Sequence, residues 1–178
     1  DEHSVSMMDA INNIETGVVN HKEYKIDIPT LDKYMPVTTQ SITVIGGNEG
    51  SFKTKLMIFI MRKLLKNYDN ISVLWYSMED PSDKIIRGFI SQDEFLTDSE
   101  LRHLDYSEMI PKDVKKFDIQ FVTKSATIKE IGDDYERFRE SRDDRFCILI
   151  IDNVMKIIPM NFKTDPDLEI LREVESWN

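Results

Sequence analysis

The chain has 178 residues, of which 33 are acidic and 23 are basic, so its formal net charge is -10. Apolar residues make up 40% and charged residues 31%, which suits one globular domain and excludes a disordered, collagen-like or coiled-coil protein. The acidic balance disfavours a basic protein that wraps nucleic acid, and the single cysteine, Cys147, excludes a disulfide-stapled secreted scaffold.

No part of the sequence predicts a membrane segment or a secretion signal. The longest apolar runs, Leu56–Met61 and Phe146–Ile151, are six residues each, far shorter than the ~18 residues that a membrane-spanning helix needs. Residues 1–28 are polar and mixed in charge, so we interpret them as an N-terminal lead-in or linker with a short helix ending near Gly17. We therefore expect a cytoplasmic protein, in the host cytoplasm if it is phage-encoded, with no membrane partner and a main domain over residues 29–178.

From residue 41 onward, apolar runs typical of strands alternate with runs typical of helices. We predict strands over residues 41–45, 71–76, 118–122 and 146–151, and helices over residues 54–67, 81–91, 97–106, 127–139 and 167–177. The strands lack the alternation of apolar and polar residues, which is typical of parallel strands covered on both faces. The order of elements therefore predicts one α/β domain, a parallel sheet with helices on both faces.

Three features of the sequence are more typical of ordinary structure than of a functional site. The three histidines are scattered and lack cysteine partners, so no metal site built from them is expected. Cys147 lies within an apolar strand and is expected to be a buried thiol. The basic residues of the helix over 54–67 alternate with apolar ones, which is more typical of a solvated face than of a DNA site; they are Lys55, Arg62, Lys63 and Lys66.

The most specific motif lies between the first predicted strand and the helix that follows it. It is the run Gly47, Asn48, Glu49, Gly50, Ser51, Phe52, Lys53 and Thr54. A phosphate-binding loop has the pattern G-x-x-x-x-G-K-[ST] in this context, where small residues let backbone N–H groups surround a phosphate at a helix N-terminus. We therefore expect residues 47–54 to bind ATP, with Lys53 reaching the β- and γ-phosphates in catalysis and the Thr54 hydroxyl binding Mg²⁺. The alternative is a glycine-rich turn that binds nothing.

Phe52 departs from this pattern, because it stands where the second glycine belongs. One interpretation is that the backbone keeps a negative φ at Phe52 and the ring points outward, over the nucleotide or against a neighbour. The other is that the loop is distorted and hydrolysis is lost. A residue other than glycine is costly only where φ is positive, and the rest of the motif is intact, so we favour the first interpretation.

Asp152 ends the apolar strand over residues 146–151, as in a Walker B motif. A buried strand of this kind delivers a carboxylate to the carboxyl edge of the sheet, beside the phosphate loop. We expect Asp152 to hold Mg²⁺ there through water. The alternative is an aspartate that only caps the turn that follows.

Glu79 follows the strand over residues 71–76, and we expect it to be the general base that orients the attacking water. The alternative is that Glu79 is only solvated. Its neighbour Asp80 is expected to cap the helix that begins at Pro81, which leaves Glu79 free for catalysis.

Together these motifs resemble the RecA-like ATPase domain of DnaB-type replicative helicases, from about Ile28 to the end of the chain. The segments that carry the resemblance are Ile28-Pro29-Thr30-Leu31-Asp32, residues 47–54, Trp75-Tyr76-Ser77-Met78-Glu79, Ser125-Ala126-Thr127-Ile128, Ile150-Ile151-Asp152-Asn153 and Glu169–Trp177. Besides Phe52, two positions depart from the family: the glycine usual after the threonine of the first segment is missing, and Asn153 stands where tyrosine is common. The order and spacing of the segments are more specific than any one of them.

The resemblance implies a RecA-like P-loop NTPase core that uses ATP and Mg²⁺ and couples hydrolysis to DNA unwinding or translocation. It implies a homo-oligomeric ring, a hexamer, with an arginine supplied by the neighbouring subunit and single-stranded DNA in the channel. A primase or a loader is an expected partner. In the family, the arginine and a strand with a polar sensor residue come late in the chain, so we expect both beyond residue 178 and a domain truncated at its C-terminus.

Other functions share this motif set. A RecA-like ATPase of recombination, repair or plasmid replication would lack strand separation. A nucleotide-gated interaction module would bind ATP and barely hydrolyse it, and Phe52 and the acidic surface favour it. A small-molecule kinase is disfavoured, because the sequence shows no acceptor site or lid.

Overall fold

The computed structural model describes residues 6–8, 12, 22–39, 41–94 and 110–158. Met7, Met8 and Asn12 are helical, and the rest of the helix predicted before Gly17 lies outside the described residues. The helices predicted over residues 97–106 and 167–177 also lie outside them.

The chain divides into two compact units, residues 1–43 and residues 44–178. The first unit contains a helix α1 between two short antiparallel strands, β1 and β2, with the bounds Glu23–Tyr24 (β1), Pro29–Tyr34 (α1) and Val37–Thr38 (β2). The Asp32 carboxylate accepts hydrogen bonds from the backbone N–H groups of Ile26 and Ile28, at 2.7 and 3.1 Å, and so fixes the turn into α1. A domain boundary after residue 28 stays a prediction.

The second unit contains the alternating helices and strands. They are α2 (Lys53–Asn67), β3 (Ile71–Ser77), α3 (Ser82–Glu94), β4 (Asp118–Val122), α4 (Ile128–Glu140) and β5 (Phe146–Asp152), with 3-10 turns at Val114–Lys116 and Val154–Lys156. The sequence predicted each of these helices and strands. Their ends agree within one residue except at α3, which continues to Glu94.

The three strands form a parallel sheet in the order β4–β3–β5. The central strand β3 is buried along its whole length. In the register of the sheet, Trp75 lies opposite Phe121 on one side and Ile150 on the other. The predicted parallel sheet is therefore confirmed, and its carboxyl edge carries the ends of β3 and β5.

Helices cover both faces of this sheet, as predicted. On one face the ring of Trp75 packs edge-on against Phe89 of α3, with 6.1 Å between the ring centroids. Successive residues of a strand point to opposite faces, so Leu74 and Tyr76 lie on the other face. There they form one buried cluster with Ile128, Ile131 and Phe138 of α4.

The strand predicted over residues 41–45 does not form, and this prediction is wrong. Residues 41–48 are irregular, and none of the strands that the structure describes pairs with them. The side chains of Ile42 and Val44 are 54% and 82% exposed. A strand needs a partner for its backbone groups and a surface for its side chains, and β-branched composition supplies neither.

Arg62 also differs from the prediction of a solvated basic face, because it is only 4% exposed. Its guanidinium pairs with Asp113 at 3.4 Å and lies over the ring of Phe117. These two residues follow α3, and a contact with them cannot be read from the local pattern of α2. Lys66 remains half exposed beside the same carboxylate.

Two smaller findings concern Cys147 and the membrane. Cys147 lies in β5 as predicted, but it is half-buried instead of fully buried. Burial raises the pKa of its thiol.

Within the described ranges, the structure contains no helix with the length and apolarity needed to cross a membrane.

Candidate active site

The predicted site residues converge on the carboxyl edge of the sheet. Residues 47–54 lead into α2, Glu79 lies two residues beyond β3, and Asp152 is the last residue of β5. The backbone carbonyl of Asp152 accepts a hydrogen bond from the N–H of Met78, at 2.8 Å, so the chain leaves β3 and β5 side by side. Open α/β sheets bind ligands at this edge.

The two glycines of the loop meet different requirements. At Gly47 an added Cβ would lie 2.6 Å from the Ser51 hydroxyl oxygen, so a side chain there would have to displace that hydroxyl. Gly50 has φ +75°, which is in the left-handed region that glycine adopts without cost. The side chains of Glu49 and Ser51 are exposed. The local sequence therefore folds into a narrow turn directly before α2.

Phe52 adopts the left-handed conformation, with φ 61° and ψ 25°. The prediction of a negative φ is wrong, because the chain keeps the turn that glycine would make at this position. The prediction that the ring points outward is confirmed, since Phe52 is 68% exposed. The ammonium group of Lys55 lies 5.3 Å from the centre of the ring. Phe52 thus carries backbone strain at the entrance to α2.

Lys53 reaches back across the loop. Its ammonium group donates hydrogen bonds to the carbonyl oxygens of Gly47, at 2.8 Å, and Asn48, at 2.9 Å. These bonds hold the ammonium group of Lys53 over the loop that leads into the N-terminus of α2. A positive charge at this position is suited to an anionic ligand.

The hydroxyl of Thr54 donates a hydrogen bond to the carboxylate of Asp152, with 2.8 Å between Oγ1 and Oδ2. The two residues are 98 positions apart in the sequence. The first turn of α2 and the end of β5 therefore meet, and they bring together the two residues that the sequence predicted to hold Mg²⁺.

The carboxyl of Asp152 has a raised pKa. Burial is the largest cause, and the negative charges of Asp80 and Glu79 add to it. The hydrogen bond from Thr54 and the charge of Lys53 act in the opposite direction. A cation beside Asp152 would relieve this accumulation of negative charge.

Glu79 is exposed, and one of its carboxylate oxygens accepts a hydrogen bond from the side-chain amide of Asn153, with 2.7 Å between Oε2 and Nδ2. Asp80 turns toward α3, where it pairs with Lys84 at 2.6 Å. The predicted cap by Asp80 stays a prediction, because its described side-chain contact is with Lys84 and α3 begins at Ser82. Glu79, however, is hydrogen-bonded and not free.

Asn153 is the residue of this site that the sequence did not predict. The available signal was its place directly after Asp152, where the resembled family commonly has tyrosine. That signal marks a difference but indicates no contact with Glu79, which lies 74 positions earlier.

The residues present fit a magnesium ion. Among the described residues, no cluster of three or more His, Cys, Asp or Glu side chains could hold a metal by itself. Mg²⁺ does not need such a cluster, because it is usually bound by one or two protein oxygens together with phosphates and water. The Thr54 hydroxyl and the Asp152 carboxylate are oxygen ligands of this kind.

Comparison with known proteins gives matches in structure only. No family model and no curated protein matches the sequence. One solved structure, described as an ATPase domain, is similar with a TM-score of 0.72 and 13% identity, over 98% of this chain and 67% of that one. A DnaB-like replicative helicase, solved to describe its interactions with primase, is similar with a TM-score of 0.72 and 14% identity, over 99% of this chain and 46% of that one. The chain therefore has the fold of DnaB-like helicase ATPase domains.

Proposed function

We propose that this chain is the ATP-hydrolysing motor domain of a DnaB-like replicative DNA helicase, which couples ATP hydrolysis to unwinding of DNA or translocation along it. The contact between Thr54 and Asp152 carries the proposal, because it joins the phosphate-loop helix to the end of β5 within the fold of such domains. The fold alone would fit other functions, and the loop alone would fit a turn that binds nothing.

ATP would bind at residues 47–54. Backbone N–H groups of the loop and the N-terminus of α2 would hold the phosphates. Lys53 would exchange the carbonyl oxygens of Gly47 and Asn48 for phosphate oxygens. The ammonium group of Lys53 would therefore be hydrogen-bonded both with and without nucleotide.

Mg²⁺ would be held by Thr54 directly and by Asp152 through water. Bound there, the ion would neutralise charge on the β- and γ-phosphates. The hydrogen bond between the two residues shows that both side chains already point to one place. The raised pKa of Asp152 has its origin in burial and in neighbouring carboxylates, which are conditions that favour a cation.

Glu79 would orient and polarise the water that attacks the γ-phosphate. An exposed carboxylate at the edge of the phosphate site can accept a proton from water, and a positioned general base contributes about 10²- to 10⁴-fold in rate. Its position supports this role, because Glu79 lies two residues beyond β3, which pairs with the strand that ends at Asp152.

The assembly and partners are proposed from the fold. We propose a hexameric ring in which a neighbouring subunit supplies an arginine to the nucleotide site, and a channel that takes single-stranded DNA. Primase is a proposed partner, because one similar helicase was solved to describe its interactions with primase. A loader is a second proposed partner, and the cytoplasm, or the host cytoplasm for a phage protein, is the proposed location.

A nucleotide-gated interaction module is the second candidate. The left-handed Phe52 favours it, because a strained loop can bind phosphate while holding it poorly for in-line attack. Such a module would bind ATP with Mg²⁺ and release it unchanged.

Steady-state ATP hydrolysis by the full-length protein separates the two candidates. The motor proposal predicts turnover that single-stranded DNA stimulates and that Glu79→Gln reduces by about 100-fold or more. Asp83→Asn is the matched control, since Asp83 is an exposed carboxylate on α3 that pairs with Arg87. ATP binding without turnover would favour the module, and turnover unchanged in Glu79→Gln would remove Glu79 from the mechanism.

A further inference from the structure

We propose that Asn153 is a positioning residue that holds the Glu79 carboxylate in the orientation needed for hydrolysis. The proposal rests on the function proposed above and adds a second residue to the same site. Its basis is the hydrogen bond between Asn153 Nδ2 and Glu79 Oε2, at 2.7 Å. The two residues lie just beyond neighbouring strands, and the hydrogen bond between Met78 and Asp152 fixes the distance between those strand ends.

The chemistry of the pair fixes the orientation of the amide. An ionised carboxylate only accepts hydrogen bonds, so the Asn153 side chain must present its NH₂ group, and not its oxygen, to Glu79. The amide oxygen Oδ1 of Asn153 is buried and has no hydrogen-bond partner among the described residues. The Asn153 side chain thus leaves its oxygen without a hydrogen bond while its NH₂ group donates to Glu79. This is the arrangement expected of a restraint on Glu79.

The geometry leaves Glu79 able to act. Asn153 binds one carboxylate oxygen, Oε2, and leaves Oε1 available for water. An exposed glutamate otherwise samples many rotamers, and most of them point away from the phosphate site. One neutral donor therefore restricts the rotation of Glu79 without placing a competing positive charge beside the γ-phosphate.

The test measures kcat and KM for ATP in the full-length protein carrying Asn153→Ala or Asn153→Asp. Asn153→Asp keeps the shape of the side chain but replaces the donor with an acceptor, which repels Glu79. We expect kcat to fall by about 10- to 100-fold in both variants, as for a misplaced catalytic group. The KM and the affinity for a non-hydrolysable ATP analogue should stay within about twofold of the unaltered protein, because the described side-chain hydrogen bond of Asn153 goes to Glu79 and not to the phosphate loop. Met155→Ala is the matched control, since Met155 is 79% exposed in the next turn.

The possible results separate the two proposals. A fall in kcat alone supports a positioning residue. An unchanged kcat in either variant, or a loss of nucleotide affinity in both, overturns the proposal for Asn153 while the ATPase function stands. If Asn153→Ala does not fold, Asn153→Asp decides by the same criteria. If the unaltered protein does not hydrolyse ATP, the proposed function and this proposal are both overturned.

Discussion

Thr54 Oγ1 donates a hydrogen bond to Asp152 Oδ2 over 2.8 Å, and this contact joins the start of α2 to the end of β5. Neither residue is distinctive alone, because a threonine after a lysine and an aspartate after an apolar strand are both common. Their meeting at one point of the sheet edge is specific. It brings together the two oxygen ligands that we propose for a phosphate-bound cation.

Removal of the Thr54 hydroxyl should therefore weaken the binding of Mg²⁺ together with ATP. We predict that Thr54→Ala raises the Mg²⁺ concentration needed for half-maximal ATP binding by about tenfold or more, equivalent to the loss of one ligand. Thr54→Ser keeps the hydroxyl and should behave like the unaltered protein. Titration of ATP binding with Mg²⁺ measures both, and identical Mg²⁺ curves for Thr54→Ala and the unaltered protein would exclude Thr54 as a ligand.

Phe52 provides a prediction about backbone strain. Glycine adopts the left-handed conformation without cost, so Phe52→Gly should be more stable than Phe52→Ala by about 1 kcal/mol in the free energy of unfolding. Both variants lose the ring and its contact with Lys55. The difference between them therefore isolates the backbone, and urea denaturation measures it. Equal stabilities would mean that residue 52 does not hold a positive φ in solution.

Asp118 provides a prediction about acid stability. Burial of Asp118 opposes its ionisation, but hydrogen bonds from Ser72 and Arg142 and the charges of Arg142 and Arg145 outweigh this effect, so the pKa of Asp118 is lowered. A carboxylate whose pKa is lower in the folded state stabilises fully above its unfolded pKa, about 3.9, and loses this contribution as the pH falls through the folded pKa.

We therefore predict that Asp118→Asn is less stable than the unaltered protein at pH 7 and that the difference shrinks below about pH 4. Thermal unfolding from pH 3 to pH 7 measures it. Asp143→Asn, at an exposed position before β5, is the control and should follow the unaltered protein. A stability difference that is constant down to pH 3 would show that Asp118 does not carry this pH dependence.

Thr127 caps α4, since its hydroxyl accepts from the N–H of Glu130 and the Glu130 carboxylate accepts from the N–H of Thr127. We predict that Thr127→Ala lowers the free energy of unfolding by about 1 kcal/mol. Thr127→Ser retains the cap and should lose much less. The comparison needs only chemical denaturation, and an equal loss in the two variants would point to the methyl group and not to the cap.

Most of the second unit could be predicted from the sequence, because its strands and helices carry strong local patterns. The strand at Asp118–Val122 has the predicted bounds, and Thr127 begins a helix through a capping box that is local in sequence. The failure at residues 41–45 has the opposite cause. Their β-branched side chains favour a strand, but pairing is decided by distant residues, and no described strand forms a ladder with them.

The candidate site shows the same division between local and distant information. The turn at Gly50 and the position of Lys53 at the start of α2 could be predicted from a local motif. The contact between Asn153 and Glu79, and the burial of Arg62 against Asp113, each depend on residues far apart in the chain. The positive φ of Phe52 follows from the path of the loop, which overrides the preference of the side chain.

The most direct test of the account is calorimetric titration of the full chain with ATP and Mg²⁺, with Lys53→Ala beside it. Lys55→Ala is the matched control, because Lys55 is an exposed lysine on the same helix that contacts only the outward ring of Phe52 in the described structure. We predict binding by the unaltered protein and by Lys55→Ala, and none by Lys53→Ala. Absence of binding by the unaltered protein, or equal binding by Lys53→Ala, would contradict it.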